Sequence, residues 1–270
     1  MPGVLYFGFF YAWPLLSMIS KSVTEPQFGL QNFQAFFASS LGINVLFLTI
    51  RTAAIVTVVC LVLAYPFAYL IVVGPRRLAT VLLGALLVSL WMSLVARTFA
   101  WEVILRDTGV INRILLDSGL VSSPVEMMRT PFAVVIGMTH ILLPNMVLPM
   151  FVVMSQIDPE LPKAASSLGA TPGRSFWRVF LPLSLPGVAA GCLLVFVLAL
   201  GFYITPFLLG GTYLMIGQLV VDKVAILDYG YASAIAVVLL VMTLGGLLLA
   251  SRLLPLGSIL GGSFRVGTDN

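Results

Sequence analysis

The stretch that decides the fold is a polar one, DPELPKAASSLGATPGRSFWRVFLPLSLPG at residues 158–187. It lies between two long apolar runs, in a chain that is 60% hydrophobic and only 9% charged. A soluble domain is typically about 25% charged, so a soluble fold of this chain could not cover its apolar surface. The composition therefore predicts a protein whose solvent is mainly the lipid bilayer, and the polar stretch needs an explanation of its own.

Six apolar runs have the length that a transmembrane helix needs, roughly 20 residues. They are 3–20, 43–73, 78–103, 131–155, 184–208 and 232–254. We therefore predict an all-α integral membrane protein with six transmembrane helices, which form a single domain over residues 1–270. We expect the first run to be a span rather than a cleavable signal peptide. Because no basic residue precedes it, we also expect the N-terminus to be trimmed or mis-started.

The orientation of the spans should follow the lysines and arginines of the short loops. Seven basic residues fall on each side of the predicted membrane, so their number alone does not decide. Arg76 and Arg77 share a very short loop, which favours the cytoplasm for that side. We therefore expect both termini and the loop 156–183 to be cytoplasmic.

The polar stretch carries the start and stop signals of two short helices. Asp158 and Pro159 are a typical N-cap and first helical residue. Gly169 is a typical helix end, after which Thr171 restarts the pattern. The apolar stripes are Leu161, Ala164, Ala165 and Leu168 in the first helix and Phe176, Trp177, Phe180 and Leu181 in the second. Helices this short are marginal in water, so their stripes must dock, either on this chain's own spans or in a groove of a separate cytoplasmic protein.

The stretch KAASSLGATPGRSFWRVFLPLSLPG resembles the EAA loop of permease subunits in ATP-binding-cassette (ABC) importers. The pattern of that loop is Glu-Ala-Ala, three residues, Gly, and a later Leu-Pro. Four further stretches look like the spermidine/putrescine-type branch of the family. They are LAYPFAYLIV (63–72), LWMSLVARTFAWEVILRDTGVINRILL (90–116), GCLLVFVLALGFYITPFLLGG (191–211) and MIGQLVVDKVAILDYGYASAIAVVLLVMTL (215–244). Because they occur in order and at matching spacing, the resemblance extends along nearly the whole chain.

This resemblance implies the type I fold of ABC-importer permeases, with cytoplasmic coupling helices in the loop 156–183. It implies that the chain translocates a small organic solute of the polyamine class, spermidine- or putrescine-like, across the bacterial inner membrane. The implied partners are a dimeric ABC ATPase that binds ATP and Mg²⁺, a second permease in a heterodimer, and an extracytoplasmic solute-binding protein. The chain itself would be no enzyme and would bind no cofactor, and its sequence contains no G-x-x-x-x-G-K-[ST] phosphate loop.

The resemblance also implies which residues contact the ATPase. On the matching positions of this sequence they are Glu160, Lys163, Ala164, Ala165, Gly169, Ala170, Leu181 and Pro182. Lys163 departs from the family pattern, which has a glutamate there that is expected to contact a basic residue of the ATPase. Either Glu160 substitutes for that glutamate, or the partner permease carries it.

Polar and aromatic residues inside the spans are candidates for the solute pathway, because a charge at the bilayer centre costs about 2.5–3.5 kcal/mol on insertion scales. The candidates are Trp91, Arg97, Trp101, Glu102, His140, Asn145, Phe202 and Tyr203. Arg97 and Trp101 could stack, and Glu102 and Arg106 form an i,i+4 acid–base pair. The alternative is that the third span leaves the membrane here and its charges are solvated.

Two prolines, Pro144 and Pro149, are expected to disrupt the fourth span near His140 and Asn145. A kink required for packing is one explanation, and a break that turns His140 or Asn145 towards the solute is the other. A lone histidine is not a metal site. The two cysteines lie within apolar runs and are expected to be buried as small hydrophobic residues.

Phe202 stands where polyamine permeases often carry an acidic residue. The faces of Phe202 and Tyr203 could still hold an amine by cation–π attraction, worth about 0.5–2 kcal/mol, or the rings could simply pack between spans. The change leaves open another solute, such as an opine, an amino-phosphonate or a different amine, and also leaves open an acid from the partner permease.

Other classes of protein fit the sequence less well. A secondary transporter would need an ion-coupling site and tends to show matching halves, and neither is recognisable in the sequence. An intramembrane enzyme would need paired carboxylates, a histidine-rich metal set or a Ser–His arrangement. The small net charge of +4 predicts no nucleic-acid partner.

Overall fold

A computed structural model describes Tyr6 and residues 8–253 of the chain, and this part is built from helices without strands. A π-helical turn, Gly8–Ala12, leads into α1 (Trp13–Thr24). The other helices follow in chain order: α2 (Gln31–Ala38), α3 (Ser40–Val73), α4 (Arg76–Trp91), α5 (Leu94–Leu105), α6 (Val110–Asp117), α7 (Pro131–Ser155), α8 (Glu160–Ser167), α9 (Pro172–Ser175), α10 (Leu181–Leu200), α11 (Ile204–Leu209), α12 (Ile216–Ala225) and α13 (Tyr229–Leu253). A second π-helical turn, Phe176–Phe180, joins α9 to α10.

Four of these helices are long and apolar enough to cross a membrane, within the part of the chain that the structure describes. They are α3, α7, the continuous stretch Pro172–Leu200, and Tyr229–Leu248 of α13. The number rises to five if α4 and the helices after it are counted as one broken span. The predicted all-α membrane fold is confirmed, whereas six spans are not all found among the described residues.

The predicted third span, 78–103, is not a single helix. It breaks after Trp91, and the helical stretches before and after the break are bent by 102° relative to each other. The apolar run continues through Met92, so hydropathy cannot reveal the break. Beyond it α5 packs against α11, where the hydroxyls of Thr98 and Thr205 form a hydrogen bond of 3.2 Å.

The predicted fifth span, 184–208, is displaced along the chain. Its helix already begins at Pro172, because Thr171 caps it, and it ends at Leu200. The second short helix expected in the polar stretch is therefore the first part of this span and not a separate element. At the far end Gly201–Tyr203 interrupt the helix although the sequence remains apolar.

The fourth span is one helix, α7, which continues through both Pro144 and Pro149, so the predicted break is not found. A kink required for packing stays a prediction. Tight packing against α10 accompanies this continuity. Gly187 and Gly191 lie four residues apart on α10, and a Cβ at Gly191 would approach the Met146 carbonyl oxygen to 2.9 Å. Small residues at this spacing let two membrane helices approach closely.

The first predicted span, 3–20, is only partly described. Residues 8–24 are helical, but no candidate membrane span is found there. The expectations for residues 1–5, for the end of the sixth span at Leu254 and for the tail with Arg265 lie outside the described residues.

The chain divides into two compact units. The first comprises Met1–Ala54, Leu94–Met138 and Leu198–Leu244. A buried cluster of this unit joins Phe36 of α2, Val45 of α3, Ile216 and Leu219 of α12, and Ile235 of α13. The Thr49 hydroxyl of α3 accepts a hydrogen bond of 2.9 Å from the Ile216 amide, which satisfies a donor at the start of α12.

The second unit comprises Ile55–Ser93, Thr139–Val197 and Gly245–Asn270. Its interior is lined with small and flexible side chains, including Cys60, Ala64, Met146 and Met150, all fully buried. The Cys60 thiol donates to the Thr139 carbonyl oxygen at 3.6 Å. Both cysteines are free, Cys60 is buried as expected, and Cys192 is partly buried. The polar segment 156–183 belongs to this unit.

Candidate functional site

The helix α8 at the centre of the polar segment is closed at both ends by hydrogen bonds that the sequence anticipates. The Glu160 amide donates to Asp158 Oδ1 at 2.9 Å, which caps the start of the helix. At the other end the Gly169 amide donates to the Ser166 carbonyl (2.9 Å) and the Ala170 amide donates to the Ala165 carbonyl (3.0 Å). This pair of bonds is a Schellman motif. Gly169 adopts φ +86°, a conformation that favours glycine.

One face of α8 is apolar and uncovered. Leu161, Ala164 and Leu168 recur at i, i+3 and i+7, and all three are exposed. Leu168 is 90% exposed. Ala165 and Ala170 are only half-buried. The predicted docking stripe therefore does not pack on this chain's own spans.

The charged residues of α8 pair with each other. Lys163 Nζ donates to Glu160 Oε1 at 2.8 Å, and both side chains are exposed. The hydrogen bond and charge of Glu160 raise the pKa of Lys163 above its ordinary value of 10.5. Lys163 is therefore a full cation at neutral pH, and its ion-pair partner is Glu160.

The opposite side of the segment is held by a cluster of aromatic rings. Phe176 meets Tyr69 of α3 edge to face at a centroid distance of 5.4 Å, and Phe180 meets the same ring at 5.1 Å. The Tyr65 and Ser184 hydroxyls add a hydrogen bond of 3.0 Å between α3 and α10. Such edge-to-face pairs contribute about 0.5–1.5 kcal/mol beyond burial. The segment is thus tied to two long helices.

The sequence analysis missed Tyr65, Tyr69 and Ser184 as supports of the segment. The spacing of Tyr65 and Tyr69 in the sequence could have indicated this role, because two residues four positions apart on a helix lie on one face. A cavity of about 470 Å³ lies between α3 and the segment. It is lined by Tyr69 and Val73 of α3, Lys163 and Ser166 of α8, and Phe176 and Phe180. Leu181 is half-buried and Pro182 is exposed, both at the start of α10.

Among the pathway candidates, Arg97 lies in the least ordinary environment. It is 6% exposed, and its Nε and Nη1 atoms are buried without a hydrogen-bond partner among the described residues. Leaving a charged donor unpaired in a protein interior is costly. Arg97 follows Leu94 by three residues on α5, so both lie on the face that meets α11. Trp91, before the break, is 90% exposed.

Trp101 and Glu102 have structural partners. Trp101 packs against a buried cluster that includes Leu105 and Leu209. Glu102 accepts a hydrogen bond from Arg106 at 2.6 Å, which confirms the predicted i,i+4 pair. The Arg106 side chain is 59% exposed and the Glu102 side chain is 19% exposed, so the pair lies at the edge of the protein interior.

The helix break at Gly201–Tyr203 brings the remaining aromatic candidates together with α5. A small cavity of about 170 Å³ is lined by Leu94, Gly201, Phe202, Tyr203 and Ile204. Phe202 is half-buried and Tyr203 is 41% exposed. The structure thus brings Phe202 and Tyr203 together with Leu94, which lies about one turn before Arg97 on α5.

His140 and Asn145 belong to the second unit, on α7. His140 is exposed and Asn145 is half-buried. They lie five residues apart, which places them on different faces of the helix. Across the described ranges, no three His, Cys, Asp or Glu side chains are grouped so that they could hold a metal ion.

Comparison with known proteins places these features in a family. No protein-family model matches the chain. The chain is 36% identical over 245 residues to the spermidine/putrescine transport system permease protein PotB of Escherichia coli, with 88% of each protein covered. It is 32% identical over 235 residues to PotB of Haemophilus influenzae, covering 86% of this chain and 77% of the relative.

The fold has a counterpart among solved structures. It matches a chain of a bacterial alginate ABC transporter, solved in complex with an alginate pentasaccharide-bound periplasmic protein, with a TM-score of 0.72 and 18% identity. The match covers 93% of this chain and 90% of the other. Together with the PotB relatives, the helical architecture and the capped segment 156–183, this leads to one conclusion: the chain belongs to the family of ABC-transporter permease subunits that includes the PotB proteins.

Proposed function

We propose that this chain is the membrane-spanning subunit of an ATP-driven importer for small organic amines of the polyamine class. It spans the bacterial cytoplasmic membrane together with a second permease. A separate ATPase supplies ATP hydrolysis with its bound Mg²⁺, and an extracytoplasmic protein delivers the solute. The PotB relatives support the solute class, since their names specify spermidine and putrescine. The periplasmic protein in the alginate complex supports the delivery partner.

The observation that carries the proposal is the two-sided environment of α8. Its outer face exposes Leu161, Ala164 and Leu168, while Phe176 and Phe180 tie the segment to α3 and α10. A helix of eight residues is too short to persist in water without packing. We infer that the exposed face docks into a cytoplasmic ATPase, and that movement of the ATPase is passed through the aromatic cluster to the spans.

In this mechanism ATP binding closes the ATPase pair and displaces α8. Because Tyr69 contacts both Phe176 and Phe180 edge to face, displacement of the segment must move α3 and α10 together or break these contacts. Interiors packed in this way switch between discrete arrangements and do not deform continuously. The spans then change from inward-facing to outward-facing while the delivery protein releases the solute.

The test is a charge placed on the exposed face. Leu168→Glu should leave the chain folded and inserted, because Leu168 is 90% exposed. It should reduce co-purification of the ATPase and ATP-driven uptake at least tenfold. The matched control is Leu120→Glu, at a residue 74% exposed in the other unit, which should change neither. Normal uptake and normal ATPase binding by the Leu168→Glu protein would refute the proposed docking.

A second class of solute is favoured by Arg97. A buried guanidinium whose Nε and Nη1 atoms have no partner among the described residues matches a carboxylate or a phosphonate better than an ammonium group. Phe202, which stands where polyamine permeases often carry an acidic residue, provides no negative charge to attract an amine. The alternative solute is therefore an opine or an amino-phosphonate, which carries both an amine and an acid. Uptake competition in the reconstituted importer distinguishes the two classes, since a polyamine importer should be inhibited by spermidine and putrescine and not by these acids.

A further inference from the structure

The start of the long membrane helix at Pro172 carries a basic ridge, Arg174, Trp177 and Arg178, on its outer side. All three side chains are exposed, and the Trp177 side chain is 67% exposed. The neighbouring Ser175 and Phe180 are buried on the inner side. The edge-to-face contacts of Phe176 and Phe180 with Tyr69 fix which side of the helix faces outward.

The length of this helix determines where the basic ridge lies. The continuous stretch Pro172–Leu200 has 29 residues, which at about 1.5 Å per residue is longer than the hydrocarbon core of about 30 Å. From Val179 to Leu208 the sequence has no charged residue. The part of the helix that exceeds the hydrocarbon thickness therefore lies at the Pro172 end. The basic ridge then lies at the boundary between hydrocarbon and headgroups, where tryptophan is enriched.

The charge around the basic ridge is uncompensated. Arg76 and Arg77 follow Val73 closely, and Val73 lines the same cavity as Pro172, so these arginines lie at the same end of the unit. The described part of this unit contains two acidic residues. Glu160 pairs with Lys163, and Asp158 caps α8. None of the four arginines takes part in an ion pair among the described residues.

We propose that the basic ridge is a binding site for the headgroups of anionic phospholipids. Two guanidinium groups one turn apart can each pair with a phosphate oxygen, while the indole of Trp177 lies at the interface. The next turn is already apolar from Val179 onward, so the basic ridge lies next to the hydrocarbon, within reach of headgroup phosphates. Leu168 on α8 lies beyond it and remains available for a protein partner.

This inference does not depend on the identity of the solute or on the ATPase, and it is tested on the full chain in lipid nanodiscs. Trp177 fluorescence, isolated by subtraction of a Trp177→Phe sample, should be quenched more by brominated phosphatidylglycerol than by brominated phosphatidylcholine. Arg174→Gln with Arg178→Gln should weaken the preference about 25-fold, since each basic residue near an anionic surface contributes roughly fivefold.

The controls separate charge from folding. Arg174→Lys with Arg178→Lys keeps both charges and should retain most of the preference. Arg113→Gln removes an exposed arginine of the other unit and should change nothing. Equal quenching by the two lipids, or an unchanged preference after both arginines are removed, would overturn the proposal. Loss of ATPase co-purification in the Gln variant with lipid preference intact would assign the basic ridge to a protein partner and would equally overturn it.

Discussion

The polar segment 156–183 and the helix break at Gly201–Tyr203 are organised in opposite ways. The segment is defined by local hydrogen bonds, such as the Asp158 cap and the two bonds that close α8 around Gly169. The break has only a long local hydrogen bond, from the Phe202 amide to the Ala199 carbonyl oxygen at 3.3 Å, and distant residues pack against it. A Cβ at Gly217, for example, would lie 3.2 Å from the Gly201 carbonyl oxygen. Local chemistry sets the shape of the first region, and tertiary packing sets the shape of the second.

Among substitutions that test the difference between these two regions, the largest effect is expected from replacing Gly169. Gly169→Val places a β-branched residue at φ +86°, which costs about 1–2 kcal/mol, although nothing lies within 4 Å of the new Cβ. The end of α8 should shift, and ATP-driven uptake should fall about tenfold at unchanged membrane insertion. Gly169→Asn is the control, because asparagine tolerates this conformation. Equal uptake by both variants would mean that the backbone at Gly169 does not position the helix.

The next effect concerns the solute at the break. Removing one ring by Phe202→Ala should raise the apparent Km for amine uptake about 2- to 30-fold, which corresponds to a cation–π contribution of about 0.5–2 kcal/mol. The control is Phe207→Ala, at a residue on α11 that is 58% exposed. This variant should take up the amine with an unchanged apparent Km. A Km that is insensitive to Phe202→Ala would leave Phe202 as a packing residue.

A smaller effect tests whether tertiary contacts hold the region of the break. Thr98→Val leaves the buried Thr205 hydroxyl without its partner across the two helices. Interhelical hydrogen bonds in membrane proteins average about 0.6 kcal/mol, so the thermal midpoint should fall by only a few degrees. The variant with both Thr98→Val and Thr205→Val should recover part of the loss. Strictly additive losses in this cycle would show that the two hydroxyls are not coupled.

The smallest effect is expected at Lys163. Its pKa is raised by Glu160, so whatever its pairing adds to stability is fully present below the ordinary value of 10.5 and is lost only as the pH rises through the raised pKa. Thermal unfolding of the wild type and of Lys163→Gln should therefore run in parallel from pH 6 to pH 9. A divergence within that range would mean that Lys163 faces a titrating group besides Glu160.

The difference between local bonding and tertiary packing also explains which features the sequence could predict. The all-α membrane class, α8 with its caps, and the Glu102–Arg106 pair follow from composition and from spacings of a few residues, and all are found. The bend after Trp91 and the interruption at Gly201 could not be predicted, because the apolar run continues through both. Tyr69 was missed for a related reason, since its value lies in a contact with Phe176 more than 100 residues away.

The central claim is that a separate ATPase drives this chain through α8, and solute accumulation in proteoliposomes tests it most directly. The wild-type chain, reconstituted with its partner permease, ATPase and delivery protein, should concentrate a labelled polyamine only when ATP is present on the side of the ATPase. The Leu168→Glu complex should not accumulate solute under the same conditions. Accumulation by the isolated chain without nucleotide or partner subunits would contradict the account.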